Sequence, residues 1–127
     1  MKSLTTYINE KLVINKNIKL HTEYPKTKEE LRDILAKRLK ENKNADLNDI
    51  DVSEIDDMSY LFCKLDPHNI DISEWDVSNV KYMYCMFAGC QNFNSDLSNW
   101  DVRNVEDMQY MFDGCDSLKN IPDWYKK

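Results

Sequence analysis

A 25-residue repeat is the feature that most limits how this chain folds. Residues 50–62 align without a gap with residues 75–87 and 100–112, and a shorter fourth pass follows at 121–124. A unit of this length cannot enclose an apolar core alone, so consecutive units must stack on one another. The sequence therefore predicts three stacked coils followed by a short C-terminal cap.

Most of the recurring positions are apolar, and we expect them to face the interior of the stack. The aligned copies of the motif read W-D-V-S-N-V-K-Y-M-Y-C-M-F and W-D-V-R-N-V-E-D-M-Q-Y-M-F. The predicted repeat core comprises Trp75, Val77, Val80, Met83, Phe87, Trp100, Val102, Val105, Met108, Phe112 and Trp124. Positions that vary between copies, Lys81, Tyr82, Tyr84 and Cys85 in the second, are where a function specific to that coil would lie.

Spacing within each coil indicates two kinds of local structure. Residues 72–75 form a short apolar segment flanked by Asp and Ser, which is typical of a brief strand entering a turn. Val80, Met83 and Phe87 follow with the spacing of one helical face. With Ser78 or Asn79 as N-cap and Gly89 as C-cap, the pattern predicts an α/β fold built of strand-turn-helix coils.

The first 44 residues lack the repeat and are predicted to form an N-terminal cap with two helices. One helix would cover residues 3–12. The second, over 28–42, is predicted from a capping box in which Thr27 is followed three residues later by Glu30. Such a helix would cover the open end of the first coil, since a bare terminal layer exposes apolar side chains.

Charge divides the chain at the same place. Residues 1–44 carry 11 Lys or Arg against 6 Asp or Glu, whereas residues 45–127 carry 6 against 17 and a net charge of −11. We therefore divide the chain into a cap, 1–44, and a repeat domain, 45–127. No apolar run reaches the length of a membrane span and no signal peptide is recognisable, so we expect a cytoplasmic protein.

The repeated motif resembles the BspA-type leucine-rich repeats, a family also known from mycoplasma-type lipoproteins and other bacterial surface proteins and found in bacteria and their phages. The resemblance covers about residues 45–124. It implies a leucine-rich-repeat-like solenoid that binds other macromolecules. A location at the cell surface follows only by analogy with that family.

Residue types that carry chemistry do not form a catalytic pattern, so we expect no enzyme, no cofactor and no resident metal. His21 and His68 lie far apart in the chain, and Cys63, Cys85, Cys90 and Cys115 lack the paired spacing of zinc sites. Cys90 and Cys115 occupy equivalent positions of successive repeats, that is, one column of the repeat alignment. Packing is their favoured role, and a disulfide between them is the alternative.

Aspartates recur in columns, and like charges in adjacent coils would repel. We expect Asp51, Asp76 and Asp101 to accept hydrogen bonds from the turn that follows each of them. Calcium binding and partner binding by the acidic face are the alternatives.

These observations predict a non-catalytic protein–protein interaction module that binds a partner with a basic surface through its acidic face. The residues expected to contact the partner are Asp71, Ser73, Glu74, Asp96, Ser98 and Asn99. Two alternatives are a phage-type acidic inhibitor that mimics nucleic acid and a surface adhesion protein. We expect no membrane contact and no direct binding of nucleic acid; the short C-terminal cap leaves self-association through the repeat end open.

Overall fold

A computed structural model of the chain describes residues 20–125. Over this range it contains one α-helix, α1 (Lys28–Glu41), and four isolated parallel bridges: Glu23 with Ile50, Asp46 with Asp71, Asp57 with Tyr82 and Tyr82 with Asp107. The helix predicted for residues 3–12 lies outside the described residues. No helix among residues 20–125 is long and apolar enough to cross a membrane.

The helix α1 begins and ends where the sequence places a helix. The Thr27 hydroxyl accepts a hydrogen bond from the Glu30 N–H at 3.1 Å, which satisfies one of the donors that a helix N-terminus leaves unpaired. The Glu30 carboxylate accepts from the Lys26 N–H, one residue before the usual capping-box partner. Leu31, Leu35 and Leu39 are fully buried, so the apolar stripe of α1 faces the repeats.

The predicted α/β solenoid of strand-turn-helix coils is wrong, and with it the description of this chain as a leucine-rich-repeat solenoid. Among residues 20–125 the strands are reduced to single bridges, no sheet forms, and the only helix is α1 in the cap. The segment 80–87, predicted as a helix, contains the bridge residue Tyr82 and turns from residue 84 onward. The segment 72–75, predicted as a strand, is also a turn, closed by the Trp75 N–H donating to the Ile72 carbonyl.

The direction of the backbone N–H groups explains why no helix forms in the repeats. The N–H groups of Met83, Cys85 and Phe87 donate to carbonyls 24 residues later in the chain rather than to carbonyls four residues earlier. An α-helix would need those donors for its own ladder. In addition, Cys85 has a φ of 53°, and a left-handed residue ends a right-handed helix.

The sequence period nevertheless organises the packing. We call residues 50–74, 75–99 and 100–124 layers 1, 2 and 3. Phe62, Phe87 and Phe112 stack with ring centroids 4.9 and 5.7 Å apart, and Trp75, Trp100 and Trp124 stack at 6.3 Å. These offset aromatic stacks form the centre of one continuous core.

Burial declines toward the C-terminal end of the stack. Of the predicted core residues, Trp75, Val77, Val80, Met83, Phe87, Trp100 and Phe112 are buried, whereas Val102, Val105, Met108 and Trp124 are partly exposed. Phe112 is 9% exposed, while Phe62 and Phe87 are at 0%. The core side chains of layer 3 are therefore less completely covered by neighbouring residues than those of layers 1 and 2.

Side chains from the basic cap hold the N-terminal end of the stack. Arg32 of α1 donates to the backbone carbonyls of Tyr60, Leu61 and Cys63 at 2.7–3.1 Å. Arg38 makes a bidentate contact with the Asp49 carboxylate, at 2.9 and 3.1 Å. The opposite charges of the cap and the repeat domain thus meet within the chain.

Candidate functional site

The six residues predicted to contact a partner lie at one edge of the repeat domain, and all but the half-buried Ser73 are exposed. Two of their carboxylates shape the backbone. Asp71 Oδ1 accepts hydrogen bonds from the Ser73 N–H and hydroxyl, and Asp96 Oδ1 accepts from the Ser98 N–H. The Glu74 N–H donates to the Asn48 side chain at 3.0 Å. This edge is therefore ordered by its own turns.

The aspartate columns act as turn-forming residues, which confirms the hydrogen bonding predicted for them. Oδ1 of Asp51, Asp76 and Asp101 accepts from the N–H two residues later, at 2.9, 3.1 and 3.2 Å. Asp57 and Asp107 do the same. Each carboxylate thus has a local donor, which offsets the repulsion between equivalent carboxylates of neighbouring layers.

Hydrogen bonds from these donors also change the acidity of several carboxyl groups. Ser53 lowers the pKa of Asp51, Ser98 lowers that of Asp96, and Arg103 lowers that of Asp101. The carboxylates therefore stay ionised below their ordinary range. Within residues 20–125, no three or more His, Cys, Asp and Glu side chains come together as a metal site would require.

A row of tyrosines, three of them exposed and one half-buried, crosses the three layers, and we refer to Tyr60, Tyr82, Tyr84 and Tyr110 as the tyrosine row. Tyr60, Tyr82 and Tyr110 are 50, 43 and 56% exposed. The Tyr84 ring meets those of Tyr60 and Tyr110 edge to face, with centroids 5.5 and 5.9 Å apart. Tyr60 raises the pKa of Tyr84 to about 12, so its hydroxyl remains neutral. The rings of Tyr60, Tyr84 and Tyr110 thus form a connected aromatic surface, and the Tyr82 ring is exposed in the same layer as Tyr84.

Backbone geometry places two of these rings at the surface. Tyr60 and Tyr110 occupy the same position of layers 1 and 3, where φ is 61° and 58°. The equivalent residue of layer 2, Cys85, has the same left-handed conformation. Side chains at this position leave the core because the apolar residues on either side, such as Leu61, Phe62 and Met58 in layer 1, fill it.

Carboxylates surround the row. Tyr82 bridges to Asp57 on one side and to Asp107 on the other. Asp57 contacts the Lys28 ammonium at 3.4 Å, and its pKa is lowered by the Ser59 N–H in spite of partial burial, which opposes the shift. The tyrosine row is therefore an aromatic surface with an acidic border. The sequence signal was present, because tyrosines recur in all three layers, but they do not share one column.

Cysteines in the described residues are all free thiols. Cys90 Sγ donates to the Phe62 carbonyl at 3.5 Å and Cys115 Sγ to the Phe87 carbonyl at 3.1 Å, so both tie one layer to the preceding one. Burial raises the pKa of Cys90 to about 12 and that of Cys115 to about 11. A protonated thiol is a poor nucleophile, since nucleophilic cysteines have lowered pKa values.

Within the part of the chain that the structure describes, no hydrogen bond joins either histidine ring to a thiol or hydroxyl; the Tyr24 hydroxyl donates to the backbone carbonyl of His21. His68 Nε2 lies 3.2 Å from Asp66 Oδ2, and the His21 ring meets Tyr24 edge to face. His21 Nδ1 is 3.9 Å from Asp51 Oδ2. Both are surface contacts with a carboxylate.

The family comparison covers most of this architecture. Residues 30–127 match the family described as "Mycoplasma protein of unknown function, DUF285". The chain belongs to this family. The matched region of this DUF285 protein includes nearly all of α1, the three layers and the tyrosine row. No curated protein and no solved structure matches the chain.

A cavity of this DUF285 protein lies at the C-terminal end of the stack. It has a volume of about 530 Å³ and is lined by layer 3 and the segment after it, including Tyr110, Phe112, Gly114, Ile121 and Tyr125. Asp113 and Asp116 also line it. The cavity adjoins the tyrosine row at Tyr110, which belongs to both.

Proposed function

We propose that this DUF285 protein is a non-catalytic binding module that captures a partner protein with a basic surface. The observation that carries the proposal is the tyrosine row, in which three rings contact one another, three of the four are exposed, and carboxylates lie at the border. Tyrosine contributes a large, rigid contact area at low cost in conformational entropy, and it is enriched at protein interfaces.

The packing of the row supports a role in binding. Tyr84 touches both Tyr60 and Tyr110, so the rings restrict one another before any partner arrives. A surface ordered in advance loses less freedom on association. Single exposed aromatics need no explanation, but a contiguous exposed patch marks an interaction site.

Charge supports a basic partner. Residues 45–127 carry a net charge of −11, and Asp57 and Asp107 border the row directly. A surface of one sign accelerates encounters with a partner of opposite sign and rejects partners of like sign. Binding should therefore weaken as salt is raised.

Three further observations belong to the same proposal. The raised thiol pKa values and the surface positions of both histidines support a non-catalytic role. The unpaired thiols support a reducing cytoplasmic setting. Kinship with BspA-type proteins, at the level of the W-D-V-S-N motif, supports macromolecular binding.

Affinity capture from the native cell at low and high salt tests the proposal. The comparison is between the wild-type chain and the double variant Tyr60→Asn, Tyr82→Ser. Asparagine suits position 60 because it tolerates a left-handed backbone. Tyr24→Ser is the matched control, since Tyr24 is 62% exposed and is not part of the row.

We expect the wild type and Tyr24→Ser to retain the same basic protein at low salt and the double variant to lose it. Equal retention by the double variant would show that the row does not bind the partner. If DNA or RNA displaces the retained protein, the result favours the alternative function, an acidic inhibitor that mimics nucleic acid.

A further inference from the structure

Within one segment of layers 1 and 2, residues 58–62 and 83–89, alternate backbone N–H groups donate toward the C-terminal end of the stack. In layer 1, the N–H groups of Met58, Tyr60 and Phe62 donate to carbonyls of layer 2 at 2.8–3.0 Å. In layer 2, four N–H groups donate to carbonyls of layer 3 at 2.7–3.0 Å: those of Met83, Cys85, Phe87 and Gly89. In these segments each layer supplies donors to the next, whereas the N–H groups of Lys81 and Glu106, just outside them, donate to the layer before.

The N-terminal end of this arrangement is closed. The carbonyls of layer 1 that face the cap include those of Leu61 and Cys63, and Arg32 donates to both. Lys43 donates to the Leu65 carbonyl at 3.1 Å. Side chains of the cap therefore replace the donors of a preceding layer.

The C-terminal end is open. The equivalent N–H groups of layer 3 belong to Met108, Tyr110, Phe112 and Gly114, and within residues 20–125 they have no acceptor. Trp124 and Tyr125 cover the aromatic side of layer 3, where Trp124 stacks on Trp100 and Tyr125 meets Phe112 at 5.0 Å. Beside them lies the 530 Å³ cavity, whose lining includes three of the four donor residues.

We propose that an extended segment of a basic partner protein binds along this edge, in parallel with layer 3, and that its carbonyls accept from Met108, Tyr110, Phe112 and Gly114. Addition of an extended segment to an exposed backbone edge is a recurrent mode of peptide recognition. The proposal rests on the proposed binding function and specifies the form of the partner. Aliphatic side chains of the segment would enter the cavity beside Ile121 and Tyr125.

Charge and donor pattern select this occupant over two others. Asp113 and Asp116 line the cavity, so it disfavours an anion in spite of its N–H groups and favours lysine or arginine side chains. A second copy joined end to end through layer 3 would set donor against donor. A second copy joined through its own layer 1 would meet carbonyls already bound by Arg32.

Amide hydrogen exchange of the full chain, measured by NMR, tests the proposal. The probe is the blocked peptide Lys-Val-Lys-Val-Lys-Val-Lys, and its control has glutamate in place of every lysine. We expect the lysine peptide to slow exchange of the four layer 3 amides at least about tenfold at saturation, as hydrogen bonding would. The glutamate peptide should leave them unchanged.

The matched protein variants are Ile121→Arg and Ile121→Gln. Ile121 is 53% exposed, so both should fold, and only arginine adds a repelling charge to the cavity. We expect Ile121→Arg to weaken binding of the lysine peptide about tenfold relative to Ile121→Gln.

Several outcomes would overturn the inference. They are no binding of the lysine peptide at millimolar concentration, binding that leaves the four amides exchanging as before, and equal binding of the glutamate peptide. Protection of the same amides without peptide, in a chain that sediments as a dimer, would make a second copy the occupant. Since Tyr60→Asn, Tyr82→Ser spares this edge, loss of partner capture in that variant with unchanged peptide binding separates the two sites.

Discussion

The indole N–H of Trp100 donates to the backbone carbonyl of Ile72 at 2.9 Å, across 28 residues of sequence. The same bond joins Trp75 to Leu47 and Trp124 to Leu97, also at 2.9 Å. Each of the three tryptophans thus has two roles. Its ring stacks on a neighbouring indole. Its indole N–H donates to a backbone carbonyl that faces the interior at the turn between two layers.

Replacing Trp100 by phenylalanine should therefore destabilise the fold beyond the loss of ring volume. The change removes one of the two donors to the Ile72 carbonyl, which keeps the Trp75 N–H, and loss of that hydrogen bond costs about 1 kcal/mol. We expect urea denaturation to show this loss in the free energy of unfolding. Trp124→Phe is the internal comparison, since Trp124 is only half-buried and its substitution should cost less. An equal loss of stability in both variants would show that burial does not determine the cost of losing this hydrogen bond.

Arg32 should be one of the most sensitive residues of the cap. Arg32→Ala leaves the carbonyls of Leu61 and Cys63 without this donor, while the Tyr60 carbonyl keeps the Cys63 N–H, and we expect a loss of about 1–3 kcal/mol in the free energy of unfolding. Arg32→Lys should recover little, because one ammonium cannot reproduce the planar fork that reaches three carbonyls. Exposed Lys37, on the same helix, is the control, and Lys37→Ala should change stability by less than about 0.5 kcal/mol.

Asp76 distinguishes turn formation from calcium binding. Its Oδ1 accepts from the Ser78 N–H and hydroxyl, at 3.1 and 2.6 Å. Asp76→Asn keeps an acceptor at this position and should cost a few tenths of a kcal/mol, whereas Asp76→Ala should cost about 1 kcal/mol. Equal losses, together with a rise in thermal stability of the wild type on adding calcium, would favour the metal instead.

Stability should be greatest between about pH 5 and pH 8 and fall on both sides for different reasons. The lowered pKa values of Asp51, Asp57 and Asp101 mean that folding favours their ionised forms, so their contribution is lost as pH falls below the ordinary aspartate range near 3.8. The raised pKa values of Cys90 and Cys115 act in the opposite direction. Their contribution is lost as pH rises from about 9 toward 11 and 12.

Denaturation in urea at a series of pH values measures both losses. In Cys90→Ala the alkaline decline should be shallower, because one thiol that ionises more readily in the unfolded chain is gone. The acidic decline should be unchanged in the same variant. A wild-type chain whose stability is flat between pH 8 and pH 11 would contradict the assigned burial of the thiols.

Much of the packing can be read from the sequence, because it depends on side-chain type. The columns of Phe62, Phe87 and Phe112 predict a stacked core, Thr27 and Glu30 predict the start of α1, and Asp51 and its equivalents predict the turns. These are local or periodic signals. Each depends on a chemical preference of the residue itself.

The secondary structure of the repeats could not be read in the same way. The spacing of Val80, Met83 and Phe87 fits one helical face, but it fits equally a chain of turns that keeps the same residues inside. The choice depends on where the backbone N–H groups donate, and the decisive acceptors are 24 residues away. The residue types at positions 60, 85 and 110 do not predict a positive φ, whereas a glycine or asparagine there would have indicated one.

The tyrosine row and the Arg32 contacts were missed for a related reason. Tyr60 and Tyr110 share a column, but Tyr82 and Tyr84 do not, so the row exists only after the layers are placed side by side. Likewise, Arg32 has the appearance of any exposed basic helix residue until the carbonyls of layer 1 are seen beneath it.

Because both interior boundaries use equivalent positions of the repeat as donors and acceptors, the number of layers and the nature of the two ends are independent traits. A duplicated stretch of 25 residues inserted between layers 1 and 2 would find donors on one side and acceptors on the other, and it would leave Arg32 and the cavity unchanged. Such an insertion would lengthen the tyrosine-bearing surface by one unit at a time. Descendants of this chain could therefore differ in the length of their binding surface while keeping the same N-terminal cap and the same C-terminal cavity.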